Sequence, residues 1–163
     1  MNSSQRIIFM GTPKIAVPYL KSLLDNNYNV IAVYTQPPRP RDRGMDVKSS
    51  SVQSIAEIHK IPFFTPSSLN SADEVKRFED LKSDLVIVMG YGILLPQSFL
   101  EKPIFGCINV HLSLLPKWRG ASPVEYSLLT GENETGVTIF KLTKKLDSGP
   151  ILVFQKCQIA DSM

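Results

Sequence analysis

Cysteine and histidine are scarce in this sequence, with two of each in 163 residues. No cluster of Cys, His and acidic residues has metal-ligand spacing, so no metal site is expected. Cys107 and Cys157 each lie in an apolar, strand-like run. Both are therefore expected to be core thiols, which suits a reducing, cytoplasmic setting. No apolar run reaches the roughly 18–20 residues that a membrane span needs. The first residues, Met1 to Arg6, lack the basic, apolar and small-residue layout of a signal peptide. Internal repeats, low-complexity tracts and an obligate protein partner's signature are missing too. Neither sign of charge dominates. The net charge of +3 permits an anionic partner without demanding one. What is present, 43% hydrophobic and 20% charged residues, fits one globular domain over residues 1–163.

The chain reads as alternating strands and helices, an α/β pattern. Arg6 to Met10 is a continuous apolar run of the kind buried in a parallel sheet. Gly11-Thr12-Pro13 follows, with Thr12 expected to cap a helix from about Lys14 to Asp25 and Pro13 in its first turn. Its apolar face would be Ile15, Val17, Tyr19, Leu20, Leu23 and Leu24. The second and third glycines of a dinucleotide-binding turn are missing, which argues against a nicotinamide cofactor. The helix start either receives an anion or simply reverses the chain. A second strand, Val30 to Tyr34, leads into Gln36-Pro37-Pro38-Arg39-Pro40-Arg41-Asp42-Arg43-Gly44-Met45-Asp46-Val47-Lys48. Its prolines forbid a helix or a central strand. It is either a solvated loop or a basic arm that grips phosphates.

Ser51 to His59 reads as a helix with Val52, Ile55, Ala56 and Ile58 inward, and His59 has no expected catalytic role. Ile61 to Phe64 reads as an edge strand. Asn70 to Lys82 reads as a helix whose charges look like a solvated face. Asp84 to Met89 is another buried run, followed by Gly90-Tyr91-Gly92-Ile93-Leu94-Leu95-Pro96. Later segments give a short helix from Val124 to Thr130, capped by Ser122 and stopped by Gly131. Strands at Gly136 to Leu142 and Ile151 to Cys157 complete the pass.

The most informative stretch runs from Cys107 to Gly120. Alternate strand residues share a face, so Asn109 and His111 project together from one end of a strand. An amide donor beside an imidazole suits acyl transfer, one stabilising an oxyanion and the other handling a proton. Taken alone, so short a pattern also fits a strand end and a satisfied turn histidine.

Asn109-Val110-His111-Leu112-Ser113-Leu114-Leu115-Pro116, then Trp118-Arg119-Gly120-Ala121-Ser122-Pro123, resembles the signature of the folate-dependent formyltransferases. Leu146-Asp147-Ser148-Gly149 resembles that family's second, acidic motif. Leu112 departs from the pattern, since the position after the histidine is usually small there. The resemblance implies a Rossmann-like fold: a mostly parallel sheet with helices on both faces. It implies a catalytic group of Asn109, His111 and Asp147, with 10-formyltetrahydrofolate as formyl donor and no metal. It implies a folate pocket with Met89, Tyr91 and Ile93 on one side and Ser113, Leu114, Leu115 and Pro116 on the other.

The basic stretch after Thr35-Gln36-Pro37 is similar to the insertion carried by the family branch that acts on methionyl initiator tRNA; the small-molecule branch, which formylates glycinamide ribonucleotide, lacks it. The resemblance thus implies tRNA contacts at Arg41 and Arg43; Lys117 and Arg119, flanking Trp118, are either plain surface charge or further contacts with substrate phosphate or RNA. It covers about half of such an enzyme, so a truncated chain without the tRNA-holding C-terminal barrel domain is expected, with exposed apolar surface favouring self-association. Three readings follow: the catalytic half of a tRNA formyltransferase, a small-molecule formyltransferase, or a non-catalytic folate- or RNA-binding remnant.

Overall fold

The computed structural model describes residues 4–41 and 46–160. They fall into two compact units, Met1–Cys107 and Ile108–Met163.

The first unit contains β1 (Ile7–Gly11), α1 (Val17–Asp25), β2 (Val30–Tyr34), β3 (Arg39–Arg41) and β4 (Asp46–Lys48). Beyond these come α2 (Ser51–Ile58), β5 (Phe63–Phe64), α3 (Ala72–Asp80), β6 (Leu85–Met89) and α4 (Gln97–Leu100). Four strands pair in parallel in the order β5-β2-β1-β6, with β5 at the edge. The apolar runs explain the placement: Ile8, Phe9 and Met10 of β1 are fully buried, as a parallel strand between neighbours must be. The fold class is the expected one, α/β and Rossmann-like, a mostly parallel sheet with helices between its strands.

Local chemistry explains several boundaries. Ser50 caps α2 by accepting from the Gln53 amide at 2.9 Å, and Ser71 caps α3 by accepting from the Glu74 amide at 3.3 Å. Thr12 does not cap α1. The chain makes a 3-10 turn at Lys14–Ala16 first, and the Thr12 hydroxyl instead donates to the Tyr91 carbonyl at 3.1 Å. That turn rotates Ile15 outward, and Ile58, at the last turn of α2, is exposed as well. The proline-rich stretch is more than a loop. β3 and β4 pair antiparallel, with Pro40 opposite Val47, forming a two-stranded arm whose proline needs no ladder partner on its free side.

The solvated-face expectation for α3 fails at Glu74, which is buried. One of its oxygens meets Arg77 at 2.5 Å. The other oxygen and the hydroxyls of Tyr34 and Tyr91 are buried without hydrogen-bond partners among the described residues. Around them pack Phe64, Phe78 and Phe99, the last two stacked with centroids 3.9 Å apart.

Burial, and then the Glu74 carboxylate, push the Tyr34 and Tyr91 phenols well above the ordinary tyrosine value. A phenol whose folded pKa is raised stabilises the fold fully below its unfolded pKa of about 10 and loses that contribution as pH climbs toward the folded value. Stability is therefore expected to fall above about pH 10. The alkaline difference spectrum should show two tyrosines ionising only with unfolding, and Tyr34→Phe should remove one of them. Smooth titration of every tyrosine while the circular dichroism stays native would refute this.

The second unit carries β7 (Cys107–His111, entering from the end of the first unit), α5 (Pro123–Leu129), β8 (Glu134–Lys141) and β9 (Ile151–Gln158). β7 pairs antiparallel with β8, setting Asn109 opposite Phe140 and His111 opposite Thr138. β8 pairs antiparallel with β9. Ser122 gives α5 no side-chain cap, because its backbone is left-handed (φ 58°), while Pro123 occupies the first turn as expected. Every residue of β9 is exposed, including Ile151, Leu152, Val153 and Phe154. Cys157 is therefore an exposed thiol rather than the expected core one, whereas Cys107 is buried. The apolar pattern of β9 was read correctly as a strand, but a pattern does not say whether another layer covers it.

Candidate active site

β7 ends at His111, which is buried together with Asp147. His111 Nε2 lies 2.8 Å from the Trp118 carbonyl oxygen. A carbonyl only accepts, so Nε2 carries a proton and donates it. The other nitrogen, Nδ1, faces Asp147 Oδ2 at 3.9 Å. That is too long for a hydrogen bond but within ion-pair distance. Asp147 Oδ2 itself accepts from the Gly120 amide at 2.7 Å. Asn109, two residues back on the same strand and half-buried, has no side-chain partner among the described residues. The second unit thus brings together a free amide, a buried imidazole of fixed orientation and a buried carboxylate.

The supports come from places without a local sequence signal. The Thr138 hydroxyl donates to the Ser113 carbonyl at 2.6 Å and accepts from the Leu115 amide at 3.1 Å. Ser113 donates to the Lys117 carbonyl at 2.6 Å. The Leu115-Pro116 peptide is cis. Thr138 is thus a structural clamp that sequence reasoning missed, because only the antiparallel register puts it beside the residues that follow His111. Gly149 holds the Asp147 turn against β8: a Cβ there would overlap the Lys141 carbonyl oxygen, and the Lys141 amide donates to Pro150 at 2.9 Å.

Gly149→Ala is therefore expected to destabilise the fold by about 1–3 kcal/mol, the usual range for overpacking. Gly131→Ala, where nothing lies within 4 Å, carries only a left-handed backbone cost of roughly 1–2 kcal/mol. Urea melts of both would test this, together with the loss at Gly149 of the Gly120 amide's protection from hydrogen exchange. Full protection in Gly149→Ala would overturn the role given to that glycine.

The expected folate residues are distributed over both units. In the first, Met89 and Tyr91 are buried and Ile93 is half-buried. The Tyr91 carbonyl already accepts from Thr12 and from the Gln36 side chain, the latter at 2.9 Å. The glycines on either side have positive φ, 59° at Gly90 and 79° at Gly92. An added Cβ would meet the Pro13 ring at the first and the Gln36 amide at the second. In the second unit, Ser113 is fully buried, Leu114 lies over Gly136, Leu115 is tied by its amide, and Pro116 is exposed.

Among the expected RNA contacts, Lys117 is paired with both Glu132 oxygens at 2.9 Å. Arg119 is exposed and has no ion pair among the described residues. Arg43 lies outside the described residues, and of Arg41 only the backbone, in β3, is described. Among the described residues no helix is long and apolar enough to cross a membrane, and no group of three or more His, Cys, Asp or Glu could hold a metal ion.

A family model described as formyl transferase matches residues 5–163. Methionyl-tRNA formyltransferase of Bartonella bacilliformis is 48% identical over 97% of this chain and 52% of its own length. The protein of the same name from Methylococcus capsulatus is 46% identical over 96% of this chain and 51% of its own. The chain spans about half the length of the curated relatives it matches. Among solved structures, phosphoribosylglycinamide formyltransferase from Bacillus halodurans superposes with a TM-score of 0.79 at 20% identity, over 98% of this chain and 82% of that one. A formyltetrahydrofolate deformylase from Pseudomonas syringae pv. tomato gives 0.72 at 19% identity, over 100% of this chain and 55% of that one. At such identities the likeness is one of fold.

Proposed function

This chain belongs to the formyl transferase family, and on that premise we propose that it carries the site at which a formyl group passes from 10-formyltetrahydrofolate to the amino group of methionyl-initiator-tRNA. The observation that carries the chemistry is the buried His111–Asp147 pair, with Nε2 occupied by the Trp118 carbonyl and Nδ1 turned to the carboxylate. The substrate reading is supported by relatives that are 46–48% identical to this chain over the half of their length that it spans and bear the name methionyl-tRNA formyltransferase.

The reaction needs a neutral amine, which is available near pH 7 because an α-amino group has a pKa of about 7.7–8.0. The amine attacks the formyl carbon and an oxyanion forms. Asn109, whose amide has no partner among the described residues, donates to that oxygen. His111 acts through Nδ1, since Nε2 is engaged: protonated there it donates to the oxyanion, or unprotonated there it takes the proton lost by the amine and passes it to the departing folate nitrogen. Asp147 sets its carboxylate beside Nδ1 and, through the Gly120 amide, holds the adjoining loop in place. Collapse of the intermediate expels tetrahydrofolate and leaves the formamide.

Met89, Tyr91, Ile93, Ser113, Leu114, Leu115 and Pro116 are proposed to line the folate site. Tyr91 would serve through its buried ring and backbone amide rather than its occupied carbonyl. Arg41, Arg43 and Arg119 are proposed to meet tRNA phosphates, with Lys117 contributing once released from Glu132. The setting is cytoplasmic, where both substrates are made.

The test is formyl transfer by the 163-residue chain from 10-formyltetrahydrofolate to methionyl-tRNA, with glycinamide ribonucleotide as a parallel acceptor. Formylated methionyl-tRNA alone supports the reading. Transfer to glycinamide ribonucleotide alone replaces it with the small-molecule branch. Folate binding without transfer to either acceptor leaves a non-catalytic binder.

A further inference from the structure

We propose that Trp118 and Tyr126 form a stacking platform for an unpaired nucleobase at the single-stranded end of the acceptor, and that Arg119 meets its phosphate. This rests on the acceptor being an aminoacylated RNA. The two rings are nearly parallel, with an interplanar angle of 8° and centroids 5.6 Å apart. Tyr126, on α5, is 51% exposed, so the stack continues from the Trp118 ring to a tyrosine open to solvent.

The backbone places this platform beside the chemistry. Trp118 supplies the carbonyl that holds His111 Nε2. In an aminoacylated RNA the reacting amine is joined through one ester and one ribose to the terminal base. A base resting on this platform therefore lies within a nucleoside's reach of the group that handles the amine's proton.

Trp118 is also held at a cost. Its φ of 55° is left-handed, unusual for a bulky side chain, and its Nε1–H is buried with no partner among the described residues. Such outliers persist where the surroundings enforce them, and they cluster at ligand sites. The platform presents a ring face and a cation. Recognition of that kind suits a base of any identity on a charged backbone. A reduced pterin, puckered and dense with edge donors and acceptors, asks instead for polar groups around its rim.

Trp118 is the chain's one tryptophan, so its fluorescence reports the platform directly. An RNA trinucleotide ending cytidine-cytidine-adenosine is expected to quench it saturably. Tyr126→Ala should weaken that binding roughly tenfold to a hundredfold, the range for removing one base-stacking aromatic. Tyr126→Phe should bind as the parent does. Absence of quenching, unchanged affinity in Tyr126→Ala with native circular dichroism, or quenching by reduced folate but not by RNA would each overturn the proposal. The measurement needs no turnover. Binding that depends on Tyr126 without formyl transfer overturns the transferase reading and leaves the platform standing, whereas transfer unaffected by Tyr126→Ala does the reverse.

Discussion

Replacing His111 with alanine is expected to lower the turnover number at least about a hundredfold, the lower end for losing acid–base help. One ring nitrogen is fixed by the Trp118 carbonyl, and the other is left beside Asp147. β7 carries no second imidazole and no carboxylate, so no neighbour on that strand takes over. The substitution also frees the Trp118 carbonyl. Circular dichroism and folate binding must therefore stay close to the parent's for the kinetic loss to be read as chemistry. Under those conditions the Michaelis constant for 10-formyltetrahydrofolate should move little and the loss should appear in turnover. Near-normal turnover in His111→Ala would end the assignment of His111 as the proton-handling group.

At Asp147 two substitutions separate charge from architecture. Asp147→Asn keeps an oxygen that can accept from the Gly120 amide, and asparagine tolerates the left-handed backbone seen there (φ 42°). Its melting curve should match the parent's, while turnover falls by about a hundredfold or more because the imidazolium loses its counter-charge. Asp147→Ala also leaves the Gly120 amide unpaired, adding roughly 1–3 kcal/mol of instability. If Asp147→Asn turns over normally while Asp147→Ala does not, the carboxylate is a structural acceptor and its charge is irrelevant.

What the sequence disclosed was whatever depends on neighbours along the chain. Ile7-Ile8-Phe9-Met10 and Leu85-Val86-Ile87-Val88-Met89 announce buried parallel strands by composition alone, and both are β-strands in the first unit. The alternation that puts Asn109 and His111 on one face is a property of any strand. What stayed hidden depends on pairings distant in sequence. Thr138 follows Ser113 by 25 positions, and only the β7–β8 register makes it a clamp. Glu74 sits in a run of alternating charges that reads as solvated, yet it is buried, close to Tyr34 and paired with Arg77. Thr12 has the right type and place for a helix cap, and a competing acceptor, the Tyr91 carbonyl 79 positions away, takes its hydroxyl. Asp147, singled out only by the family resemblance, does lie beside His111, 3.9 Å from its Nδ1. Cys157 was misread because apolar alternation marks a strand whether or not anything covers it.

Asn109, His111 and Asp147, with Thr138 and Gly149 behind them, all belong to the compact unit Ile108–Met163. Contiguity of that kind matters to inheritance. A crossover that moves one uninterrupted stretch of gene carries the proposed proton-handling group with its braces, already in register. Whatever surrounds such a cassette can change while the cassette itself is kept.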